Sequence, residues 1–205
     1  MQRSWVGKVF IATSLDGYIA RRDGDIEWLT NPPADTRHVS PEATPPAEFG
    51  FEAHMASVDH IVMGRGTYEK LLTFDSWPYP QRAVIVLSRT LPHDDGRATV
   101  VRSIAAAAAE LERRGAKGVY VDGGVVIREF LRRGMIDELT ITTAPVLLGE
   151  GIPLFGSAGD GWLGSGWLGG DMRLTHLGTA HIGSGMVTSR YWIDHGRQLR
   201  ASTTK

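Results

Sequence analysis

The feature that most constrains the fold of this chain is an alternation of short β-branched runs with helical patterns. Helical patterns run from Ser103 to Arg114 and from about Val125 to Arg133, and each ends at a glycine. Alternating strands and helices predict an α/β fold with a mostly parallel central sheet and helices on both faces. The strand-like runs are Val9 to Ala12, His60 to Met63, Val84 to Leu87, Val119 to Val121, Leu139 to Thr143 and Met186 to Ile193.

The C-terminal part of the chain departs from this rhythm. Two strand-like runs between Leu174 and Ile193 flank the turn-forming segment His181 to Gly185, which predicts an antiparallel hairpin at the sheet edge. At 205 residues the chain is predicted to form a single domain over 1–205, with its core at about 8–193. A glycine-rich insertion at 156–170 and a tail at 194–205 lie outside this regular pattern.

Composition excludes several classes of function. The 22 basic and 23 acidic side chains nearly cancel, so no charge excess would draw the chain to nucleic acid or to an anionic membrane. Because cysteine is absent, a disulfide framework, a thiolate zinc site and a cysteine nucleophile are excluded, and no metal site is predicted. No apolar run approaches membrane-spanning length, so we expect a cytoplasmic protein.

The insertion at 156–170 contains a formal match to the dinucleotide-binding fingerprint, from Gly159 to Gly164. That fingerprint functions only where it follows a strand and opens a helix, and neither pattern is present here. We therefore interpret the insertion as a loop whose Trp162 and Trp167 pack on the body of the protein or on a partner.

Three strand-like runs end in residues suited to binding an anion. Gly64 leads into a helix that opens with Arg65 and Thr67, Leu87 is followed by Ser88 and Arg89, and Asp122 is followed by Gly123 and Gly124. Each segment alone has an ordinary alternative: a strand-to-helix turn, a polar loop or a tight turn. Because the carboxyl ends of neighbouring parallel strands line one crevice, the three together predict a dinucleotide site.

Five segments, in this order and rough spacing, resemble the dihydrofolate reductase superfamily. The resemblance is closest to the riboflavin-biosynthesis reductase C-terminal domain and its stand-alone relatives, and it extends from Lys8 to about Ile193. The segments are Ser14 to Ala20, Met63 to Glu69, Leu87 to Arg89, Asp122 to Gly124 and Asp137 to Leu139.

The resemblance implies NADPH as the cofactor and gives roles to individual positions. Arg65 and Thr67 would contact cofactor phosphate, Ser88 and Arg89 would flank the adenosine 2′-phosphate, and the paired glycines would lie under the pyrophosphate. The backbones of Ala12 and Ile19 would hold the nicotinamide carboxamide. The implied cofactor positions are Ala12, Ile19, Gly64, Arg65, Thr67, Leu87, Ser88, Arg89, Gly123, Gly124 and Val125.

The substrate side offers candidates that each have a structural alternative. The resemblance implies that Asp16 is the catalytic residue, which orients substrate or relays a proton, but the same residue could simply form an Asp-Gly turn. Trp28 could stack on a planar substrate or serve as packing, and Thr142 could face substrate or be ordinary strand material. Glu52 is a third substrate candidate; it and His54 could reach the crevice or lie on a solvated helix face, which is the favoured reading.

These segments predict an NADPH-dependent reductase of a small pterin-like or aminopyrimidine substrate, with riboflavin-pathway pyrimidine reduction as one version. Folate is disfavoured, because the acidic residue after Trp28 comes later than in true dihydrofolate reductases and no helix pattern begins at Asp35. The zinc deaminase half of the riboflavin enzyme is excluded by the absence of cysteine. The alternative function is a non-catalytic NADPH-binding module with a sensing or partner-control role.

Three further expectations follow. The chain should form a homodimer, since relatives of this type commonly pair and the edge hairpin and the tryptophan-bearing insertion would expose apolar surface. The Gly123–Gly124 turn should have an unusual backbone, with a cis peptide bond as one version. Arg89 should make the protein prefer NADPH over NADH.

Overall fold

The computed structural model describes residues 3–31, 46–92, 96–156 and 171–195. Its helices are α1 (Glu27–Thr30), α2 (Phe51–Ala56), α3 (Arg65–Leu71), α4 (Ile104–Arg113) and α5 (Gly124–Arg132), and a 3₁₀ turn covers Ala47–Phe49. The strands are β1 (Val6–Ser14), β2 (Tyr18–Ala20), β3 (His60–Gly64), β4 (Ala83–Leu87), β5 (Ala98–Val101), β6 (Gly118–Asp122), β7 (Glu138–Ala144), β8 (Ile152–Pro153), β9 (Leu174–Ile182) and β10 (Met186–Ile193).

Eight of these strands form one sheet in the order β5-β4-β3-β6-β1-β7-β10-β9. The pairs from β5 to β7 are all parallel, whereas β10 runs antiparallel to both β7 and β9. The predicted α/β fold with a mostly parallel sheet and an antiparallel C-terminal edge hairpin is therefore confirmed. The parallel strands all end at one side of the sheet, which we call the carboxyl edge; the opposite side is the amino edge.

Helices cover both faces of the sheet, as the sequence predicts. On one face, α4 and α5 bury Leu111, Ile127 and Phe130 against the strands. On the other face, Tyr68 and Leu71 of α3 pack in a second apolar cluster, with Met55 of α2 at its margin. None of the described helices is long and apolar enough to cross a membrane.

Several short elements escape sequence analysis. The strand β5 has only four residues, and the pair β2 and β8, with three and two residues, forms a separate antiparallel ribbon. Runs of this length are too short for a period to be recognised. The core also begins before residue 8, because Trp5 is buried and β1 starts at Val6. Asp35 and nearly all of the insertion lie outside the described residues.

Backbone segments meet closely at the amino edge. A Cβ atom on Gly7 would lie 1.9 Å from the carbonyl oxygen of Met135, and one on Gly118 would lie 2.2 Å from that of Ser57. The Asp137 carboxylate accepts hydrogen bonds from the Gly7 amide at 2.8 Å and from the Arg3 guanidinium at 2.6 Å. Side chains larger than glycine are therefore excluded from two strand starts, and a buried ion pair fixes the chain beside them.

Candidate functional site

The central sheet opens between β1 and β6. These strands pair only at their first residues, Val6 to Lys8 with Gly118 to Tyr120, whereas β1 pairs with β7 along the whole stretch from Lys8 to Ser14. Where the ladder ends, the Tyr120 hydroxyl donates a 3.0 Å hydrogen bond to the Phe10 carbonyl oxygen. Beyond this bridge, β1 has a strand neighbour only on its β7 side.

The chain connections leave this opening in opposite directions. After β1 the chain continues to β3, which lies beyond β6, and after β6 it continues through α5 to β7, which lies beyond β1. Such a point in an open α/β sheet leaves a crevice at the carboxyl edge that is not covered by a connection. The opening therefore lies where sheets of this class bind ligands.

A glycine turn lies at the end of β6. Gly123 has a φ of 85°, and a Cβ atom there would lie 2.4 Å from the Thr67 hydroxyl oxygen. A Cβ atom on Gly124 would lie 2.8 Å from Ile19 Cδ1, and the Gly64 amide lies 4.0 Å from the Cβ position of Gly123. The structure thus brings together five of the predicted cofactor positions at the first turn of α5, where backbone N–H groups lack helical partners.

The predicted cis peptide bond is wrong. No peptide bond in the described ranges is cis, so the Gly123–Gly124 bond is trans. The turn instead takes its unusual shape from the positive φ of Gly123, a backbone conformation that costs glycine little and other residues more. The expected unusual backbone is present, but it arises from a dihedral angle rather than from an isomer.

Arg65 and the β4 end lie together at the outer part of the carboxyl edge. The Arg65 guanidinium donates to Glu69 at 2.6 Å and to the Thr90 hydroxyl at 2.8 Å, which joins the start of α3 to the loop after β4. The buried Ser88 hydroxyl oxygen accepts from the amides of Thr90 and Leu91 and so caps that loop. Arg89 is exposed. Ser88 therefore shapes the loop, while the two arginines present positive charge.

Arg102 is a third arginine at this position, and sequence analysis missed it. It follows β5, and its guanidinium donates to the carbonyl oxygens of Ser88 at 2.7 Å and Leu91 at 2.8 Å. The signal was the same as for Arg89, a cation directly after a β-branched run, but the run of four residues was not recognised as a strand. Three arginines therefore lie after β3, β4 and β5, at the outer part of the carboxyl edge.

The remaining predicted cofactor positions lie along the same edge. Leu87 pairs with Gly64 at the ends of β4 and β3. Ala12 lies on the part of β1 that has left β6. Val125, in the first turn of α5, exposes 54 % of its surface, which leaves an apolar contact available beside the glycine turn.

Asp16 holds two loops together. Its carboxylate accepts hydrogen bonds from the Ser14 hydroxyl at 2.6 Å and from the amides of Leu148 at 3.1 Å and Gly149 at 2.7 Å. The Ser14 hydroxyl, and then these amides, hold the pKa of Asp16 below its usual range. This arrangement favours the structural alternative for Asp16, because a carboxylate that stays ionised and is tied to the loop after β7 is poorly suited to relaying protons.

Asp122 is a titratable group at the opening that sequence analysis did not select. Burial raises the pKa of Asp122 to about 6, against the lowering effect of the Gly123 amide, which donates to its carboxylate at 2.8 Å, and of the Tyr120 hydroxyl. The only sequence signal was its position before the paired glycines, where it read as part of a turn. A carboxyl group that is partly protonated near neutral pH therefore lies at the end of β6.

The predicted substrate residues lie in different surroundings. Thr142 is buried on β7, and its hydroxyl oxygen lies 2.8 Å from that of Thr188. One of these two hydroxyl groups therefore donates a hydrogen bond to the other. Trp28 is buried, and its indole N–H has no hydrogen-bond partner among the described residues. Glu52 is exposed on α2. The structure does not bring these three side chains together in one contact.

The favoured solvated position for His54 is wrong. His54 is 8 % exposed and lies among aromatic rings, 4.6 Å from Tyr120 and 5.2 Å from Phe10 between ring centroids. Burial, followed by the positive charges of Lys8 and Arg190, lowers the pKa of His54 to about 4. The expected helix is present, but its face against the sheet carries histidine, which a hydrophobic pattern alone does not reveal.

Solved structures share this architecture. The dihydrofolate reductase of Enterococcus faecalis, solved with NADP(H), superposes with a TM-score of 0.61 at 16 % identity, over 95 % of this chain and 99 % of that one. The "Putative riboflavin biosynthesis protein" of Shewanella sp. PV-4 gives a TM-score of 0.73 at 34 % identity, over 92 % of this chain and 98 % of that one. The predicted dihydrofolate reductase-like fold is therefore confirmed.

Sequence relatives narrow the relationship further. The uncharacterized protein YwjB of Bacillus subtilis is 34 % identical over 160 residues, which are 76 % of this chain and 84 % of that protein. The sequence model of the RibD C-terminal domain matches residues 7–188, which include the parallel strands except for Val6, the opening and the glycine turn. The chain belongs to the RibD C-terminal domain family.

Proposed function

We propose that this chain is a cytoplasmic NADPH-dependent reductase that transfers a hydride to a small pterin-like or aminopyrimidine substrate, with riboflavin-pathway pyrimidine reduction as one version. The observation that carries the proposal is the parting of β1 from β6 beside the glycine turn that begins α5. A flat ring could enter between the strands while its phosphates meet the amides of the turn. Membership of the RibD C-terminal domain family supports the same assignment.

The residues at the carboxyl edge fit this cofactor. Because Gly123 and Gly124 carry no side chains, Thr67 and Ile19 pack closely against the first turn of α5, whose backbone N–H groups suit a pyrophosphate. The unpaired side of β1 around Ala12 offers backbone groups to the nicotinamide carboxamide of NADPH. These contacts would fix which face of the nicotinamide ring meets the substrate. NADPH would supply the hydride, and the chain's contribution is to position it.

The three arginines support a preference for the phosphorylated cofactor. Arg89 and Arg102 follow neighbouring strands, and Arg65 reaches the same loop through Thr90. A phosphate monoester is well matched by guanidinium groups, since each offers paired donors, and Arg89 is exposed. The adenosine 2′-phosphate of NADPH is therefore assigned to this end of the crevice.

Asp122 is the group best suited to hold a proton at the opening. Its raised pKa means that the proton is held in acid and is lost as pH rises through about 6. A substrate that gains a hydride also needs a proton, so turnover should fall across that range if Asp122 supplies it. Asp122→Asn should lower turnover and remove this pH dependence, while NADPH binding, followed by fluorescence, should stay unchanged.

The decisive experiment measures binding and turnover separately. NADPH fluorescence titration tests the site, and loss of NADPH absorbance with a panel of pterins and aminopyrimidines tests the reaction. The panel includes the ribosylaminopyrimidine of the riboflavin pathway. Tight binding without turnover on any substrate would favour the non-catalytic module instead, an alternative supported by the engagement of Asp16 in loop contacts. Failure to bind NADPH would exclude both functions.

We also propose that the protein is a homodimer. The outer strand β9 is nine residues long, and Leu174 and Leu177 on it expose 42 % and 45 % of their surfaces. A long edge strand with exposed leucines is a liability unless another surface covers it. Sedimentation at micromolar concentration should therefore give a dimer, and a clean monomer would contradict the proposal.

A further inference from the structure

A buried histidine without a hydrogen-bond partner lies on the α2 side of the sheet. His54 Nε2 is buried and has no partner within the described ranges. Leaving a buried polar atom unsatisfied is costly, and native proteins retain such atoms mainly where they have a role. The imidazole is enclosed by the rings of Phe10, Phe51 and Tyr120, with centroid distances of 5.2, 6.3 and 4.6 Å.

The position of this histidine relates it to the opening. Phe10 and Tyr120 are the residues whose side-chain-to-carbonyl bridge closes the sheet just where the β1–β6 ladder ends. His54 packs against both, so it lies at the base of the opening. Phe51 stacks on His54 at an interplanar angle of 24° and is 43 % exposed. Phe51 is thus the member of this aromatic wall that borders solvent, where another flat ring can pack against it.

The charged groups around His54 are predominantly positive. Lys8 and Arg190 both act on it electrostatically, and Glu138 lies 3.3 Å from Lys8 and 3.7 Å from Arg190. The two cations share the one Glu138 carboxylate, while Glu52, also on α2, is exposed to solvent. Asp122, which interacts with Tyr120, carries no full negative charge near pH 6, since its pKa is raised to about 6. His54 itself is neutral there, with a pKa of about 4.

We infer that His54 is a substrate-recognition residue and that this site selects a neutral or anionic flat heteroaromatic ring over a cationic one. The inference rests on the proposed function and specifies the substrate class. The ring packs against the aromatic wall beside Phe51, at the edge of the neutral imidazole, where Nε2 forms one hydrogen bond with it. A protonated ring is rejected, because Lys8 and Arg190 would repel it in a partly buried setting.

The test uses two pteridines that differ in charge and in their exocyclic groups, and Lys8→Met isolates the effect of charge. Protein saturated with NADP⁺ is titrated calorimetrically at about pH 5 with lumazine, the neutral pteridine-2,4-dione, and with 2,4-diaminopteridine, which is protonated there. Wild type should bind lumazine at least tenfold more tightly. His54→Phe should weaken lumazine by about tenfold, and His54→Gln, which keeps a polar group, by no more than about threefold. Lys8→Met should reduce the preference for lumazine over the cation.

Matched controls separate this inference from the proposed function. His181→Phe removes an exposed histidine on β9 and should change neither affinity. Arg190→Met repeats the charge test if Lys8→Met does not fold. Equal lumazine affinity of wild type and His54→Phe, a preference for the cation, or binding of NADP⁺ without either pteridine would overturn the inference and leave the reductase assignment standing. Failure to bind NADP⁺ itself would instead defeat the proposed function.

Discussion

The two ends of β1 contrast in how closely the chain packs around them. At the amino edge, Gly7 leaves no room for a Cβ atom beside Met135, and the Arg3–Asp137 ion pair is buried beside it. At the carboxyl edge, the same strand has left β6 and has a strand neighbour on one side only. One strand thus begins in a closed junction and ends in an open crevice.

This difference indicates that one end of β1 contributes mainly to stability and the other end mainly to ligand binding. Groups at the amino edge are satisfied by other parts of the chain, as the two contacts of Asp137 illustrate. At the carboxyl edge, by contrast, backbone N–H groups in the first turn of α5 lack helical partners and Arg89 is exposed. Substitutions at the amino edge should therefore change the free energy of unfolding, and those at the carboxyl edge should change affinity.

The largest effect is expected at Asp137. Asp137→Asn leaves the Arg3 guanidinium, whose side chain is 10 % exposed, without its charged partner, and losing one member of a buried pair costs about 3–5 kcal/mol. Urea denaturation should show this loss, while the folded variant should bind NADPH as wild type does. Glu150→Gln, which breaks the exposed ion pair with Arg22, serves as the control and should change stability little. A loss below 1 kcal/mol in Asp137→Asn would contradict the contrast.

Gly123→Ala should have the next largest effect, on binding as well as on stability. The new Cβ atom would displace Thr67 and the turn, and losing about two hydrogen bonds to phosphate at ~1.5–3 kcal/mol each would weaken NADPH and NADH alike by two orders of magnitude or more. Gly115→Ala is the matched control, since Gly115 has a φ of 69° with nothing within 4 Å of its Cβ position. Both variants pay a backbone cost, so unchanged affinity in Gly123→Ala would exclude the phosphate site.

Arg89→Ala should discriminate between the two cofactors. A hydrogen bond to a charged group contributes roughly 1.5–3 kcal/mol, so NADPH affinity should fall by about one to two orders of magnitude. NADH affinity should barely change, because NADH has no 2′-phosphate. Calorimetric titration with both nucleotides measures this, with Arg132→Ala, near the end of α5, as a control. Equal losses for both cofactors would mean that Arg89 is structural.

Asp16→Asn should have the smallest effect. The amide loses charge-assisted contacts with Leu148 and Gly149, so the melting temperature should fall slightly and turnover should stay within about threefold of wild type. A residue that transfers a proton in the reaction contributes about 10²-fold or more, so steady-state rates separate the two roles. A hundredfold loss of turnover with unchanged NADPH affinity would restore Asp16 as the catalytic residue.

Sequence patterns revealed the fold because strands and helices differ in their periods. The runs at β3, β4 and β6 are continuous and apolar, as buried parallel strands are, and the alanine-rich pattern of α4 has a cap at Ser103. Elements of two to four residues, such as β5 and β8, contain no full period and were missed.

Only part of the candidate site could be predicted from the sequence, for a different reason. Glycines and arginines after strands leave a local signal, so Gly123 and Arg65 could be found. The raised pKa of Asp122 and the burial of His54 depend on contacts between distant segments, and such contacts have no local signature. Arg102 was not predicted as a site residue because β5, the strand that it follows, was not recognised.

The parting of β1 from β6 also has a consequence for how the chain behaves in a crowded cell. A strand with one unpaired side normally offers its amides and carbonyls to any neighbouring chain, which invites aggregation. Here the unpaired side of β1 is in the middle of an eight-stranded sheet, between β6 and β7, and not at its margin. The backbone groups that a ligand needs are therefore kept out of reach of extended polypeptides.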